Sequence, residues 1–555
     1  MKKKNILILG ALIILLLAAW RLWPVKKTLP PGSTPTEGIQ TTSGTLRGFS
    51  QNGLDSFLGI PYAEPPIGDL RFKPPLAHKP WQGTFDAYEL GSFCPQAYDK
   101  IVIDNPHEEL NDENCLMLNI WRPSVGDGKR AVMVFIHGGG FVGGSSKEEL
   151  YNGSLLAKNG DVVVVTLNYR VGLLGFFDFY VIGGAEYADS ADVGIQDQLL
   201  ALRWVKDNIA AFGGDPQNIT VFGESAGGAS ILALLGTEHP QDLFQRAIVM
   251  SGSPLHTAEN TRDIANLLKE QVGISSSFLW RKAPTWALMY IQQKVLEAVG
   301  SPLSDLIFAP TYGSEYVVKY SPLEAIASAN TQGIDLMIGN MADELSYWSF
   351  YDTPDSHICE QTLQDNLFTS INPNIGPELK KLYDVYAQDP QRTWKQEGDI
   401  ILALGDDYAF RVQALDVASQ QAKVAKTYYY RVNYPVNLPD EPCQNNRSPH
   451  GSELPFVFGY VNVQTGFDFI GKPRDAQDDA VRNHLMQQMI LAWTNFAKTG
   501  DPNGGGLPNW PVFDGATQPT MVFSADVHVE NAPFYAEYQA MSDFMKIFNV
   551  FDALK

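Results

Sequence analysis

The sequence first offers chemistry at Gly223-Glu224-Ser225-Ala226-Gly227-Gly228, a G-x-S-x-G pattern. The pattern follows the apolar run Asn218 to Phe222 (NITVF) and precedes the helix-forming run Ala229 to Leu235. On a tight turn between strand and helix, a serine is held in a strained backbone conformation with its hydroxyl clear of the sheet. Flanking glycines remove the side chains that would block such a turn. The free N–H groups and dipole at the helix start favour developing negative charge beside that hydroxyl. This setting suits a nucleophile. A serine that merely capped the helix would not need glycines on both sides.

A second glycine cluster, His137-Gly138-Gly139-Gly140-Phe141, follows the run Ala131 to Ile136 (AVMVFI). Successive glycines let the backbone aim its N–H groups at a reacting carbonyl oxygen. With the residue after the serine, the candidate oxyanion donors are Gly139, Gly140 and Ala226. Each such donor is worth about 3 kcal/mol in a transition state. A base must take the serine proton, and the chain order serine, acid, histidine leaves His239, His256, His357, His450, His484 and His528.

These groups need a scaffold with strand ends close together. Asp161 to Leu167 (DVVVVTL), Ala247 to Met250, Leu336 to Ile338 and Thr427 to Val432 join the two runs above as short, continuous apolar segments. Such segments read as parallel strands buried on both faces. Helical patterns lie between them, for example Gln196 to Ala211. The predicted fold class is therefore α/β, with a large, mostly parallel central sheet flanked by helices.

Several segments together resemble the type-B carboxylesterase and cholinesterase family. They are LGIPYAEPPIGDLRF (Leu58 to Phe72), ENCLMLNIW (Glu113 to Trp121), HGGGF, NYRVGLLGF (Asn168 to Phe176) and AAFGGDPQNITVFGESAGG (Ala210 to Gly228). The resemblance runs from about Gly38 to the C-terminus, with the motifs in the family's order. It implies an α/β-hydrolase fold with long insertions, no cofactor and a Cys94–Cys115 disulfide. His450-Gly451-Ser452-Glu453 with the following LPFVFG is similar to the family's catalytic-histidine motif, which makes His450 the expected base. Glu344 matches the acidic residue of the family's D-E-G pattern, although Leu345 stands where glycine is usual and Asp343 is an adjacent carboxylate. Glu224, next to the serine, is expected to point away from the site and to serve structure.

The implied activity is hydrolysis of a small-molecule ester, apolar in its acyl or aryl part, through Ser225, His450 and Glu344. An amidase with the same triad, and a catalytically silent binding protein on this fold, are the competing readings. Choline specificity is disfavoured, because the loop around Asp104-Asn105-Pro106 lacks an aromatic residue for a cation–π contact. Phe141, Trp348 and Phe350 are candidates to line an acyl or alcohol pocket.

Composition sets the outer bounds. The 555 residues hold 41 Lys and Arg against 62 Asp and Glu, a net charge of −21, which argues against nucleic acid as a partner. Lys2 to Lys4 precede an unbroken apolar run, Ile6 to Trp20. Residues 1–27 therefore read as a signal anchor, or as a signal peptide that is cleaved, and the rest of the chain as exported. Residues 28–44, rich in Pro, Thr, Ser and Gly, read as a flexible tether, and residues 45–555 as one catalytic domain. Four cysteines suit an oxidising compartment, and spacing alone does not join Cys359 to Cys443. Nothing in the sequence fixes the oligomeric state.

Overall fold

The computed structural model describes residues 27–97, 111–126, 128–252, 256–257, 262, 265–266, 268–270, 272–299, 308–350, 376–392, 397–440, 444–462 and 468–548. Twelve strands form one sheet. In chain order they are β1 (Thr34–Pro35), β2 (Phe49–Gln51), β3 (Leu54–Pro61), β4 (Met117–Pro123), β5 (Arg130–Ile136) and β6 (Val163–Leu167). Then come β7 (Gly214–Glu224), β8 (Arg246–Met250), β9 (Asp335–Met341), β10 (Thr427–Val432), β11 (Pro519–Phe523) and β12 (His528–Asn531). In space they run β1-β2-β3-β4-β6-β5-β7-β8-β9-β10-β11-β12. Strands β6 to β11 are parallel, and antiparallel strands complete both edges. The six apolar runs singled out in the sequence are all strands of that parallel centre.

Alternation along a strand explains why these runs have no polar face. In β5, Val132, Val134 and Ile136 enter one core, while Ala131, Met133 and Phe135 enter another on the opposite side. Helices α1 (Val193–Asn208) and α2 (Ala226–Leu235) cover the first face with Leu202, Val205, Ile231 and Leu234. A long helix, α6 (Ala476–Thr499), covers the second with Met489, Trp493 and Phe496. Between β9 and α6 lie α3 (Gly376–Gln388), α4 (Glu397–Asp406) and α5 (Val412–Gln421), and α7 (Tyr535–Met545) follows β12.

The tether expectation needs correction. Within residues 28–44, Thr34 and Pro35 pair with β2, and Ile39 to Thr41 pair with Gly44 to Leu46 in a separate three-stranded sheet. Pro and Thr there serve short edge strands, where the missing proline donor is tolerated. The expected anchor, apart from Lys27, lies outside the described residues. Among the described residues no helix is long and apolar enough to cross a membrane. Cys94 and Cys115 are bonded, with Cα atoms 5.0 Å apart. Cys359, Cys443 and the Asp104–Pro106 loop fall outside the described residues.

Asp192, immediately before α1, is buried, and its Oδ1 accepts the Thr311 N–H at 2.8 Å. Burial, with Asp178 and Asp189 nearby, pushes its carboxyl up to about 8. The folded state thus holds a proton there that the unfolded chain releases near pH 4, so stability falls as pH rises from 4 to 8. Asp192→Asn is expected to raise stability by an amount that grows over this range, to about 1–3 kcal/mol at pH 8. Calorimetry at pH 5 and pH 8 checks it; an equal shift at both values rejects the titration.

Candidate active site

Register brings the candidate residues together. Gly223 of β7 lies opposite Ile136 of β5, Glu224 opposite Met250 of β8, Met250 opposite Gly339 of β9, and Met341 opposite Val432 of β10. The C-terminal ends of neighbouring parallel strands thus release their loops on one side of the sheet, where α/β folds gather functional groups.

Ser225 stands alone between β7 and α2 with φ 58° and ψ −124°. That left-handed backbone is costly for a residue with a Cβ, and it is maintained only because the surroundings dictate it. The Ser225 N–H donates to Met250 O at 2.9 Å, and its own carbonyl accepts the Ala229 N–H at 2.9 Å. The glycines are demanded by proximity: a Cβ on Gly227 would lie 2.0 Å from Ile136 O. One on Gly138 would lie 3.0 Å from Ser225 Cβ, so the glycine loop after β5 rests directly against the serine. Gly139 and Gly140 take φ values of 104° and 57°, which glycine adopts freely. Gly139 O accepts N–H groups from Val142 and Gly143, each at 3.0 Å, which fixes the loop's curl. Ala226 opens α2, where N–H groups have no partner within the helix.

Glu344 follows β9 and is fully buried. Its Oε2 meets His450 Nδ1 at 2.5 Å, and its Oε1 accepts from Ser251 Oγ at 2.6 Å and from Met341 N at 2.7 Å. Three donors thus fix one carboxylate. Asp343, its neighbour, instead accepts the Ser448 N–H at 2.9 Å and lies 3.7 Å from Arg447. Of the other histidines, His239 leads a short turn, His484 is exposed on α6, and His528 sits 3.0 Å from Glu530. His256 lies in a two-residue strand, and His357 is outside the described residues.

Glu224 departs from expectation. It turns inward, with Oε1 3.1 Å from His450 Nε2. The reason is the tight turn itself, which sends Ser225 and Glu224 to the same side of the sheet end. His450 Nε2 has no aligned hydrogen-bond partner, so Ser225 Oγ is not bonded to it in this arrangement. Glu453 is also buried nearby with neither carboxylate oxygen hydrogen-bonded. Burial pushes Glu224 up to about 7 and Glu453 well above the ordinary carboxylate range. Burial opposes the imidazolium of His450, but Glu224 and Glu344 outweigh it and lift the ring to about 9.

Aromatic rings enclose this histidine. Trp348 lies 4.7 Å and Phe410 5.1 Å from it, centroid to centroid. Phe141 is a core residue packed on Phe176, and the Phe350 side chain is outside the described residues. Ser251, Glu453 and Phe410 were not singled out by sequence reasoning. Glu453 had a signal, since it stands within the motif that contains His450. Ser251 and Phe410 had none, because only the fold brings them near.

A carboxylesterase family model matches residues 35–541. The chain belongs to the carboxylesterase family. This carboxylesterase is 35% identical to the para-nitrobenzyl esterase of Bacillus subtilis (strain 168) over 89% of its own length and 96% of that protein's. It is 32% identical to the phenmedipham hydrolase of Pseudarthrobacter oxydans, with the same shares covered, 89% and 96%. Among solved structures, a thermophilic para-nitrobenzyl esterase superposes with a TM-score of 0.77 at 32% identity, covering 91% of this chain and 99% of that one. A carboxylesterase of Geobacillus stearothermophilus gives 0.75 at 33%, covering 91% and 100%. The α/β-hydrolase fold and hydrolysis of carboxylic esters follow from this membership.

Proposed function

We propose that this carboxylesterase works through Ser225, His450 and Glu344 and a covalent acyl-enzyme, on esters with apolar acyl or aryl groups. The observation that carries the reading is the buried Glu344–His450 pair, whose ring meets Glu224, the residue next to a serine held at φ 58° against a glycine loop. Glu344 fixes the imidazole through Nδ1, leaving Nε2 to accept the Ser225 proton as Oγ attacks the ester carbonyl. The N–H groups of Gly139, Gly140 and Ala226 receive the oxyanion. His450 then protonates the departing alcohol, and water repeats the sequence on the acyl-enzyme. Trp348 and Phe410 beside His450 support an apolar acyl or aryl group, since they present broad ring surfaces to it. We also propose export, supported by the Cys94–Cys115 bond and the apolar run Ile6 to Trp20, with that run as anchor or as removable signal.

The test is turnover of p-nitrophenyl esters from acetate to long acyl chains by the full chain. Turnover with an optimum at short or medium length is expected. If no acyl ester of the series is hydrolysed, the substrate assignment fails.

Electrostatics give a second expectation. His450 accepts a proton only as neutral imidazole, and the facing carboxylates favour the imidazolium. Activity should therefore rise with pH up to about 9. Glu224→Gln removes one of those charges, so the acid limb of kcat/KM should move about one unit lower. The plateau should fall about tenfold, because the imidazolium formed in the transition state loses that carboxylate. An acid limb that stays in place, or moves upward, would show that Glu224 does not act on His450.

A further inference from the structure

Helix α4 does not stop at Asp406 but widens into a single π-turn, Asp407–Arg411, before continuing as α5. A π-turn has poorer hydrogen bonding than the α-helix around it, and such turns occur often at functional sites. Two pairs of side chains spaced four residues apart diverge from this one. Asp406 and Phe410 turn toward the site. Asp406 Oδ1 accepts the Leu345 N–H at 2.7 Å, one residue beyond Glu344. Phe410 stacks on Trp348 at 6.0 Å and 13°, and both rings flank His450.

Asp407 and Arg411 turn the other way, into a buried network. They pair with each other, and the Tyr386 hydroxyl of α3 donates to Asp407. Arg411 donates to Pro533 O at 3.2 Å and lies 3.6 Å from Glu537 of α7, which Arg392 grips with two bonds of 2.6 and 2.7 Å. The turn is therefore clamped from behind by α3 and α7, while Asp406 at its start holds the residue after Glu344 and Phe410 faces His450.

We propose that the π-turn Asp407–Arg411 is the positioning element of the acid–base pair. Asp406 holds the loop that carries Glu344 through the Leu345 N–H, and Phe410 with Trp348 sets the plane of the His450 ring. The inference rests on the assignment of Ser225, Glu344 and His450 made above. Burial of Asp406, with Asp343 and Glu344 close by, costs stability and pushes its carboxyl well above the ordinary carboxylate range. A neutral side chain with one acceptor oxygen is all that Leu345 requires, so an amide can replace it. In the family's usual pattern a glycine stands at 345.

Steady-state hydrolysis of p-nitrophenyl butyrate by the full chain tests the inference, comparing wild type, Asp406→Asn, Asp406→Ala, Phe410→Leu and Ser225→Ala, with a melting curve for each. Asp406→Asn is expected to keep kcat within about threefold of wild type. Asp406→Ala and Phe410→Leu should lower kcat about 10- to 100-fold while KM stays within about threefold, the mark of lost orientation rather than lost binding. If Asp406→Ala does not fold, Phe410→Leu decides, since it keeps an apolar side chain and removes only the ring. Wild-type kcat in folded Asp406→Ala or Phe410→Leu, a rise in KM with kcat unchanged, or a loss in Asp406→Asn as large as in Asp406→Ala overturns the proposal. Retained hydrolysis in Ser225→Ala overturns the triad assignment instead.

Discussion

Ser225→Ala is expected to lower kcat for p-nitrophenyl esters by about 10⁴- to 10⁶-fold while leaving the melting temperature unchanged or raised. The size of the loss follows from covalent catalysis. Without Oγ no acyl-enzyme forms, and only the oxyanion donors and binding remain, which still accelerate hydrolysis somewhat. The small stability effect follows from the backbone, whose strain the substitution leaves unchanged. Ser225 sits at φ 58°, ψ −124°, and alanine inherits that conformation while giving up only a partly exposed hydroxyl. Stopped assays with purified protein and a thermal melt check both parts. Residual activity within tenfold of wild type would place the nucleophile elsewhere.

Glu344→Gln is expected to cost about 10³- to 10⁴-fold in kcat with little change in KM. The carboxylate accepts from Ser251 Oγ and Met341 N as well as meeting His450 Nδ1. An amide in its place keeps the volume but presents an N–H₂ group to at least one of these donors. The imidazole then turns, or takes the tautomer with its proton on Nε2, and cannot accept from Ser225. Loss of the charge also removes support for the imidazolium in the transition state. Glu344→Asp, which retains the charge on a shorter arm, should recover part of the rate. Kinetics of the two variants side by side separate charge from reach, and equal activity in Gln and wild type would discard Glu344 as the acid.

What was legible in the sequence was local. The strand AVMVFI is apolar on both faces, which a covered parallel sheet explains, and it lies in the parallel centre. The serine turn was legible because its glycines answer to close approach, seen at Gly227 against Ile136 O. Less was legible where a residue's role depends on partners far along the chain. Ser251 donates to a glutamate 93 residues later, and no local pattern marks it. Glu224 was misjudged because its direction is set by two dihedral angles at the turn, which the G-x-S-x-G pattern does not encode. The Pro- and Thr-rich segment before Gly44 has the composition of a linker, but its backbone finds strand partners that composition does not reveal.

The order of strands in the sheet also sets a timetable. Ser225 ends a strand complete by residue 224, yet Glu344 follows β9 and His450 follows β10, and β10 is closed on its outer side by β11 at residues 519–523. A chain growing from its N-terminus therefore acquires the strand before Ser225 well ahead of the loops that carry Glu344 and His450. Until Pro519 to Phe523 arrive, β10 presents an unpaired edge, the kind of surface that recruits other chains. The segment after β11, with β12 and α7, also supplies Glu537, the far anchor of the network behind the π-turn. Synthesis must thus pass residue 523 before β10 is covered, and a chain released before that point is an aggregation hazard.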